Sequence, residues 1–353
     1  MAKKFATFKM LKDKLVSELA FDIVYNSEES EGFDIEENTK AGEDLSKEEV
    51  LEFLKNPKTK VKIELRDKDG EEKYNTANLV ATNQEDGKTI VIRSLGDHCL
   101  ALAMAVKEAK KTVQKLEINK DYPILSKKLI CDLNAQLLSL RSEEVGIGKY
   151  RYKDFMGNVL DVGIKKIRED GNARAVKCVK LETAWQGNVT KKMNELVDWV
   201  NEVAFDGDRD VMTDIAEFHA RFLKIHPFME GNGRTDRLLT NYLLLINNYS
   251  VIDIPSEDKQ EYALLLNYAN AESEELYMQE DQTHAEFQKK LFAKYGPRTE
   301  ENRYTPLKDF LERHLVKENT HQIIRKVLDY DGDSKLNAKK TSGRFKNSDP
   351  MLP

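Results

Sequence analysis

The sequence predicts a mostly α-helical protein with a small antiparallel β insertion near its N-terminus. Helical signals run through 96–117 and 125–140, and from 189 to about 330 the chain is typical of helices throughout. Between 60 and 93, short apolar stretches are separated by Asp-Gly pairs, which favour hairpin turns. The chain has 353 residues, enough for one large domain with appendages or for two domains.

Two further helices are predicted before the β insertion. Residues 9–26 carry apolar side chains three and four positions apart, the spacing of an amphipathic helix. Residues 46–56 begin with Ser46 and, three positions later, Glu49, a capping box that predicts a helix start. Residues 150–182 are ambiguous, although the stretch ARAVKCVKL alternates as a strand does.

Composition excludes several classes of protein. The net charge is −6 with acids and bases interspersed, so no nucleic-acid footprint stands out. The three cysteines are few and widely spaced, which argues against a disulfide framework or a zinc site and favours a reducing compartment. Neither a signal peptide nor a membrane span is expected, because the longest apolar stretches are too short. A cytoplasmic protein is therefore predicted.

A glycine-rich loop between two helices predicts a phosphate site. Residues 212–226 form an amphipathic pattern that Pro227 ends, and a second helical pattern starts at Arg234. A helix N-terminus after a glycine loop binds anions, since its backbone N–H groups and positive end face the ligand. Arg237 shares a helix face with Arg234, so both guanidinium groups can reach adjacent phosphates.

Two side chains beside this loop suit the chemistry of phosphate transfer. Glu230 can supply an oxygen ligand to Mg²⁺, and His226 can accept a proton from an attacking hydroxyl. Taken singly, each feature also has an ordinary explanation: a helix cap, a turn, or a surface ion pair. The prediction rests on all of them occurring together at fixed spacing.

The run HPFMEGNGRTDR at 226–237 resembles the motif of the Fic family at every fixed position. The resemblance extends over about 125–280 and includes Gly-Lys-Tyr-Arg at 148–151. It implies a Fic-type helical core with a β-hairpin flap, and transfer of AMP from ATP to a protein Tyr, Thr or Ser hydroxyl. It further implies that His226 is the base and Glu230 the Mg²⁺ ligand. The remaining implied roles are an anion hole at Gly231, Asn232 and Gly233, outer-phosphate binding at Arg234 and Arg237, and an adenine pocket at Tyr262 and Asn270.

The same resemblance implies a brake within the chain. Ser27, Glu31 and Gly32 fit the inhibitory pattern Ser/Thr-x-x-x-Glu-Gly/Asn, placed N-terminal to the catalytic core. Glu31 would pair with Arg237 and take the place of the γ-phosphate. Without the catalytic motif, the same run would be a solvated acidic turn.

The sequence pattern and the resemblance together predict a division of the chain and a set of partners, although the resemblance does not account for 55–95 or for the segment after 285. We expect an N-terminal region (1–120), which contains an inhibitory helix at about 10–32 and the β insertion at about 60–93. A catalytic core (121–285), a helical extension (286–330) and a mobile tail (331–353) are expected to follow it. A protein substrate, the chain itself included, would bind at the flap, and a homodimer is expected, with no nucleic acid or membrane as partner. ARAVKCVKL is the candidate target-binding strand, an ordinary packed hairpin being the alternative.

Three functional hypotheses stay open at this stage. The first is AMP transfer to a protein. The second is the reverse reaction, removal of AMP, or transfer of another phosphate-containing group. The third is a catalytically quiet nucleotide-sensing interaction protein. Two arginines suit a triphosphate, and an intact His226 and Glu230 argue against the third hypothesis. The acidic run at 329–335 does not fit a calcium loop, because Lys340 stands where the bidentate glutamate belongs.

Overall fold

A computed structural model confirms the predicted fold class: helices dominate the part of the chain that it describes, and a small antiparallel sheet lies near the N-terminus. None of the described helices has the length and apolar character needed to cross a membrane. The described residues are 18–30, 39–40, 46–65, 77–138, 147–151, 159–167, 173–182, 188–271, 282–317 and 322.

The N-terminal elements follow local sequence signals. Helix α1 spans Glu18–Ser30, so the first half of its predicted range lies outside the described residues. A two-residue strand, β1 (Thr39–Lys40), precedes helix α2 (Lys47–Lys55). The capping box of α2 is confirmed: the Ser46 hydroxyl accepts from the Glu49 N–H, and the Glu49 carboxylate accepts from the Ser46 N–H.

The predicted β insertion is a sheet of four antiparallel strands in the order β1-β4-β3-β2. The Asp-Gly turn between β3 and β4 is confirmed, with Gly87 at φ 73°. The other Asp-Gly turn, at 69–70, lies outside the described residues. Strand β1 was not predicted, because two residues cannot show an alternating pattern. The three longer strands are β2 (Thr59–Leu65), β3 (Ala77–Asn83) and β4 (Thr89–Ile92).

A long helix joins the sheet to the rest of the protein. Helix α3 (Arg93–Ile118) follows β4 directly and packs against β3. Helix α4 (Lys127–Leu137) comes next. The ambiguous region then forms an antiparallel hairpin of β5 (Val159–Ile167) and β6 (Ala173–Glu182), which confirms the strand predicted from ARAVKCVKL.

The remaining helices surround one central helix. Helix α7 packs against α3, α4 and α6, and its residues are buried except at Gly233. The buried residues of α7 therefore include polar side chains, which need hydrogen-bond partners from the surrounding helices. The helices of this part are α5 (Val189–Glu202), α6 (Val211–Ile225), α7 (Asn232–Ile246), α8 (Lys259–Asn270), α9 (Gln282–Tyr295) and α10 (Thr305–Arg313), with a 3-10 turn at Ser256–Asp258 before α8.

Candidate active site

The loop between α6 and α7 begins with a left-handed residue at His226. Helix α6 ends at Ile225, and His226 adopts φ 51° and ψ 62°, a conformation uncommon outside glycine. The predicted helix boundary before Pro227 is thereby confirmed. Such a backbone persists only where its surroundings fix it, so the contacts on this turn matter.

Arg151 provides those contacts from the segment 147–151. Its Nε donates to the His226 carbonyl at 2.6 Å and a terminal nitrogen donates to the Ile225 carbonyl at 3.1 Å. Its own backbone N–H donates to the Pro227 carbonyl at 2.8 Å. Arg151 therefore holds consecutive carbonyls at the end of α6. The resemblance at 148–151 pointed to this segment without giving Arg151 a role.

Asn232 closes the loop upon itself. Its amide oxygen accepts from the Phe228 N–H at 2.8 Å, and its amide nitrogen donates to the Phe228 carbonyl at 2.8 Å. Gly231 completes the turn at φ 74°, where a side chain would be strained. Helix α7 starts at Asn232, so the N–H groups of its first turn lie at the positive helix end. Gly231, Asn232 and Gly233 are thus placed where an anion hole requires them, and that role stays a prediction.

A side chain of α4 holds the loop between α6 and α7 by hydrogen bonds. Asn134 donates to the Glu230 carbonyl at 3.0 Å and to the Thr235 hydroxyl at 3.2 Å, and it accepts from the Gly148 N–H at 3.0 Å. Gly148 has φ 62°, and a Cβ there would lie 2.8 Å from the Cys131 carbonyl oxygen. Asn134 is buried and joins α4, the loop between α6 and α7, and the 147–151 segment at one point. Sequence analysis did not identify it.

The C-terminal end of α1 contacts both arginines of the motif. The Arg237 Nε donates to the Ser27 hydroxyl at 2.8 Å, and another of its nitrogens donates to the Ser27 carbonyl at 3.0 Å. Arg234 donates to both carboxylate oxygens of Glu28, at 3.2 and 3.0 Å. All of these groups are buried. Ser27 therefore lies at Arg237, and Glu31 lies just outside the described residues.

Glu28 belongs to a buried charged cluster that sequence analysis missed. Its carboxylate also lies 2.8 Å from Nδ1 of His98, on α3. Burial alone would raise the pKa of Glu28, but Arg234 and His98 hold that pKa at about 2. Burial lowers the pKa of His98, so the ring is neutral at pH 7 and donates its Nδ1–H to the carboxylate. In the sequence, Glu28 is one of several acids in a run, and no spacing singles it out.

Glu230, the predicted metal ligand, is a partly exposed carboxylate. Its side chain is 26% exposed, and one carboxylate oxygen lies 3.5 Å from a nitrogen of Arg234. Mg²⁺ is commonly held by one or two carboxylates together with substrate phosphates and water. Among the described residues, no cluster of three potential metal ligands occurs, and the role of Glu230 as a Mg²⁺ ligand stays a prediction.

Tyr262 and Asn270, both on α8, are buried. The Tyr262 hydroxyl bonds to Nε2 of His219, and its ring stacks on Phe310. The Asn270 amide donates to the Ala220 carbonyl at 2.9 Å. These contacts join α8 to α6 and α10, and the predicted adenine-pocket roles of both residues stay predictions.

His219 and Asp236 form a second buried polar pair beneath the motif. His219 Nδ1 lies 2.8 Å from an Asp236 carboxylate oxygen and 2.7 Å from the Thr240 hydroxyl. Asp236 stands between the two arginines in sequence, yet its side chain faces α6. It therefore links α7 to α6, whereas Arg234 and Arg237 contact α1.

Comparison with known proteins agrees with this site. Residues 124–244 match the family model described as "Fic/DOC family". The chain is 30% identical to protein adenylyltransferase fic-1 of Caenorhabditis briggsae over 140 residues, which are 39% of this chain and 27% of that protein. It is 35% identical to protein adenylyltransferase Fic of Nematostella vectensis over 86 residues, 24% of this chain and 19% of that protein. The chain thus spans only about a quarter of such relatives.

Among solved structures, the chain resembles a Fic-domain-containing signaling protein from Bacteroides thetaiotaomicron. The TM-score is 0.49 at 20% sequence identity, and the match covers 89% of this chain and 90% of the other.

Proposed function

We propose that the protein transfers AMP from ATP to the hydroxyl of a Tyr, Thr or Ser residue of a protein. The observation that carries the proposal is the geometry at the start of α7. A positive helix end, two buried arginines on one helix face and a histidine fixed on the preceding turn lie together around one loop. The names of the relatives, protein adenylyltransferases, support the same chemistry.

In the proposed reaction, His226 removes the proton from the attacking hydroxyl. The hydroxyl oxygen forms a bond to the α-phosphorus of ATP, and the bond from that phosphorus to the oxygen bridging to the β-phosphorus breaks. Pyrophosphate leaves with the negative charge, and Arg234 and Arg237 stabilise it. The contribution of the protein is positioning and charge stabilisation, and the contacts of Arg151, Asn134 and Asn232 serve the positioning.

Glu230 is the proposed Mg²⁺ ligand. The Glu230 carboxylate is partly exposed and lies beside Arg234, which fits a ligand that shares a cation with substrate phosphates. When bound, Mg²⁺ would neutralise charge on the phosphate oxygens. Glu230 would orient the triphosphate through that shared cation, and the helix end would bind it from the other side.

We infer that the C-terminal end of α1 restrains the enzyme. The contacts of Ser27 with Arg237 support this proposal, since they bring α1 to the arginine that would hold the γ-phosphate. Glu31 follows the described end of α1 by one residue. A carboxylate there could compete with the γ-phosphate for Arg237.

The protein substrate is proposed to bind along the flap hairpin. Strand β6 pairs with β5 on one side and runs beside α8, the helix that carries Tyr262 and Asn270. An extended target segment could add to a strand edge by main-chain hydrogen bonds. A cytoplasmic location and a homodimer complete the proposal.

Intact-mass spectrometry of a Glu31→Gly preparation incubated with ATP and Mg²⁺ tests the proposal. We expect a species heavier by one AMP on this chain or on an added target protein, and none in the Glu31→Gly/His226→Ala double variant. Loss of AMP from a premodified protein, without any gain, would favour the reverse reaction instead. Nucleotide binding with no mass change on any protein would contradict both.

A further inference from the structure

We propose that Glu28 is a second inhibitory residue, which withholds Arg234 from the nucleotide as Glu31 is proposed to withhold Arg237. The inference rests on the proposed function only in taking the two arginines as phosphate-binding groups. It adds a contact that the Ser-x-x-x-Glu-Gly pattern does not contain, because Glu28 stands at a variable position of that pattern.

The geometry places Glu28 in direct competition with a phosphate. Both carboxylate oxygens of Glu28 accept from one terminal nitrogen of Arg234, at 3.2 and 3.0 Å. Phosphate oxygens bind a guanidinium through the same N–H groups and with the same charge. A nucleotide phosphate therefore cannot occupy this side of Arg234 until Glu28 leaves it.

The electrostatics of α1 favour this docked arrangement. The Ser27 carbonyl lies in the last described turn of α1 and accepts a hydrogen bond from Arg237. The last turn of α1 contains no basic residue, so the guanidinium groups of α7 provide the positive charge that stabilises a helix C-terminus. Ser27 and Glu28 thus form a two-point contact that covers both arginines.

His98 makes the Glu28 contact costly to break. It binds the Glu28 carboxylate through Nδ1 at 2.8 Å, and both side chains are buried. If Glu28 moves away, the His98 N–H loses its acceptor in the protein interior, and a buried donor left without a partner is unfavourable. His98 is therefore a positioning residue that holds Glu28 on Arg234 rather than one that meets the nucleotide.

This arrangement predicts a brake with two independent parts. Removing Glu31 would take away the proposed competitor of the γ-phosphate at Arg237 but leave Glu28 on Arg234. Hydrogen bonds to charged groups contribute roughly 1.5–3 kcal/mol, so Glu28 would weaken phosphate binding by about ten- to a hundredfold. The two glutamates should differ in which nucleotide they disfavour.

Calorimetric binding of ATP, ADP and AMP to the full chain separates these effects. We expect Glu28→Gln to tighten both ADP and ATP by about tenfold or more while leaving AMP unchanged, because AMP lacks the outer phosphates. Glu31→Gly should tighten ATP more than ADP. Asp22→Asn, which removes the same charge from an exposed position on α1, is the matched control and should leave all three affinities unchanged.

An unchanged ADP affinity in folded Glu28→Gln would overturn the proposal, as would an equal gain for AMP. If that variant fails to fold, Glu28→Asp replaces it: the shorter carboxylate keeps its charge but cannot contact His98 and Arg234 together. A smaller gain in ADP affinity is then expected, and no gain overturns the proposal. Because binding is the readout, tighter ADP without any AMP transfer would support the Glu28 contact and contradict the proposed function alone.

Discussion

Replacing Asn134 by alanine should lower the rate of AMP transfer by more than its loss of folding stability alone would explain. Asn134 makes hydrogen bonds to the Glu230 carbonyl, the Thr235 hydroxyl and the Gly148 N–H. A buried polar group left without its partner costs about 1–3 kcal/mol. With these contacts removed, we expect the free energy of unfolding to fall by roughly 2–4 kcal/mol.

The effect on rate should be larger than that on binding. Asn134 fixes the carbonyl of Glu230, four residues after His226, so its loss lets the loop shift against α7. A displacement of about 1 Å in a positioned group can lower a rate by roughly a hundredfold. Single-turnover AMP transfer in a Glu31→Gly background measures this step. We expect the rate to fall by about two orders of magnitude while ATP affinity changes little.

Asn201→Ala is the matched control. The Asn201 amide accepts from the Leu125 N–H and donates to the Leu125 carbonyl, both at 2.9 Å, so it also ties two segments together, but it does not contact the loop. This variant should lose a comparable amount of stability and keep its transfer rate. Equal rate losses in Asn134→Ala and Asn201→Ala would contradict a positioning role for Asn134, since general destabilisation would then explain both.

Three further predictions concern the proposed chemistry. His226→Ala should lower the transfer rate by roughly two to four orders of magnitude and leave ATP binding nearly intact, because the imidazole acts on the hydroxyl; near-normal transfer would exclude it as the base. Glu230→Ala should raise the Mg²⁺ concentration needed for half-maximal rate, and full activity in excess chelator would argue against any metal requirement. Glu31→Gly should raise the transfer rate, by orders of magnitude if the Glu31–Arg237 pair is buried and only a few-fold if it is exposed. Adding Arg237→Ala to that variant should remove the gain. An unchanged transfer rate in Glu31→Gly would mean that 27–32 is a simple acidic turn.

The elements that sequence predicted correctly are governed by local signals. The capping box at Ser46, the turn at Gly87 and the helix boundary at Pro227 each depend on a few neighbouring residues. The run 226–237 was recognisable for the same reason, because its residues lie in one short stretch. Strand β1 was missed because its pairing with β4 involves only two residues.

The residues that sequence missed act across long separations. Asn134 is 96 positions from Glu230, and His98 is 70 positions from Glu28. Glu28 itself is 206 positions from Arg234. Each of these side chains also fits an ordinary helical pattern, so only the packing of α1, α3 and α4 around α7 shows what it contacts. The sequence pattern at 27–32 likewise could not separate Glu28 from the neighbouring acids.

The proposed reaction at this site moves the AMP part of ATP onto protein. The most direct test compares ATP labelled at the α-phosphorus with ATP labelled at the γ-phosphorus, each incubated with Glu31→Gly protein and Mg²⁺ and followed by separation of protein from nucleotide. We expect α-label on protein, none from the γ-labelled ATP, and release of one pyrophosphate for each AMP attached. Label on protein from γ-labelled ATP would contradict it, because a different phosphate-containing group would then be the one transferred.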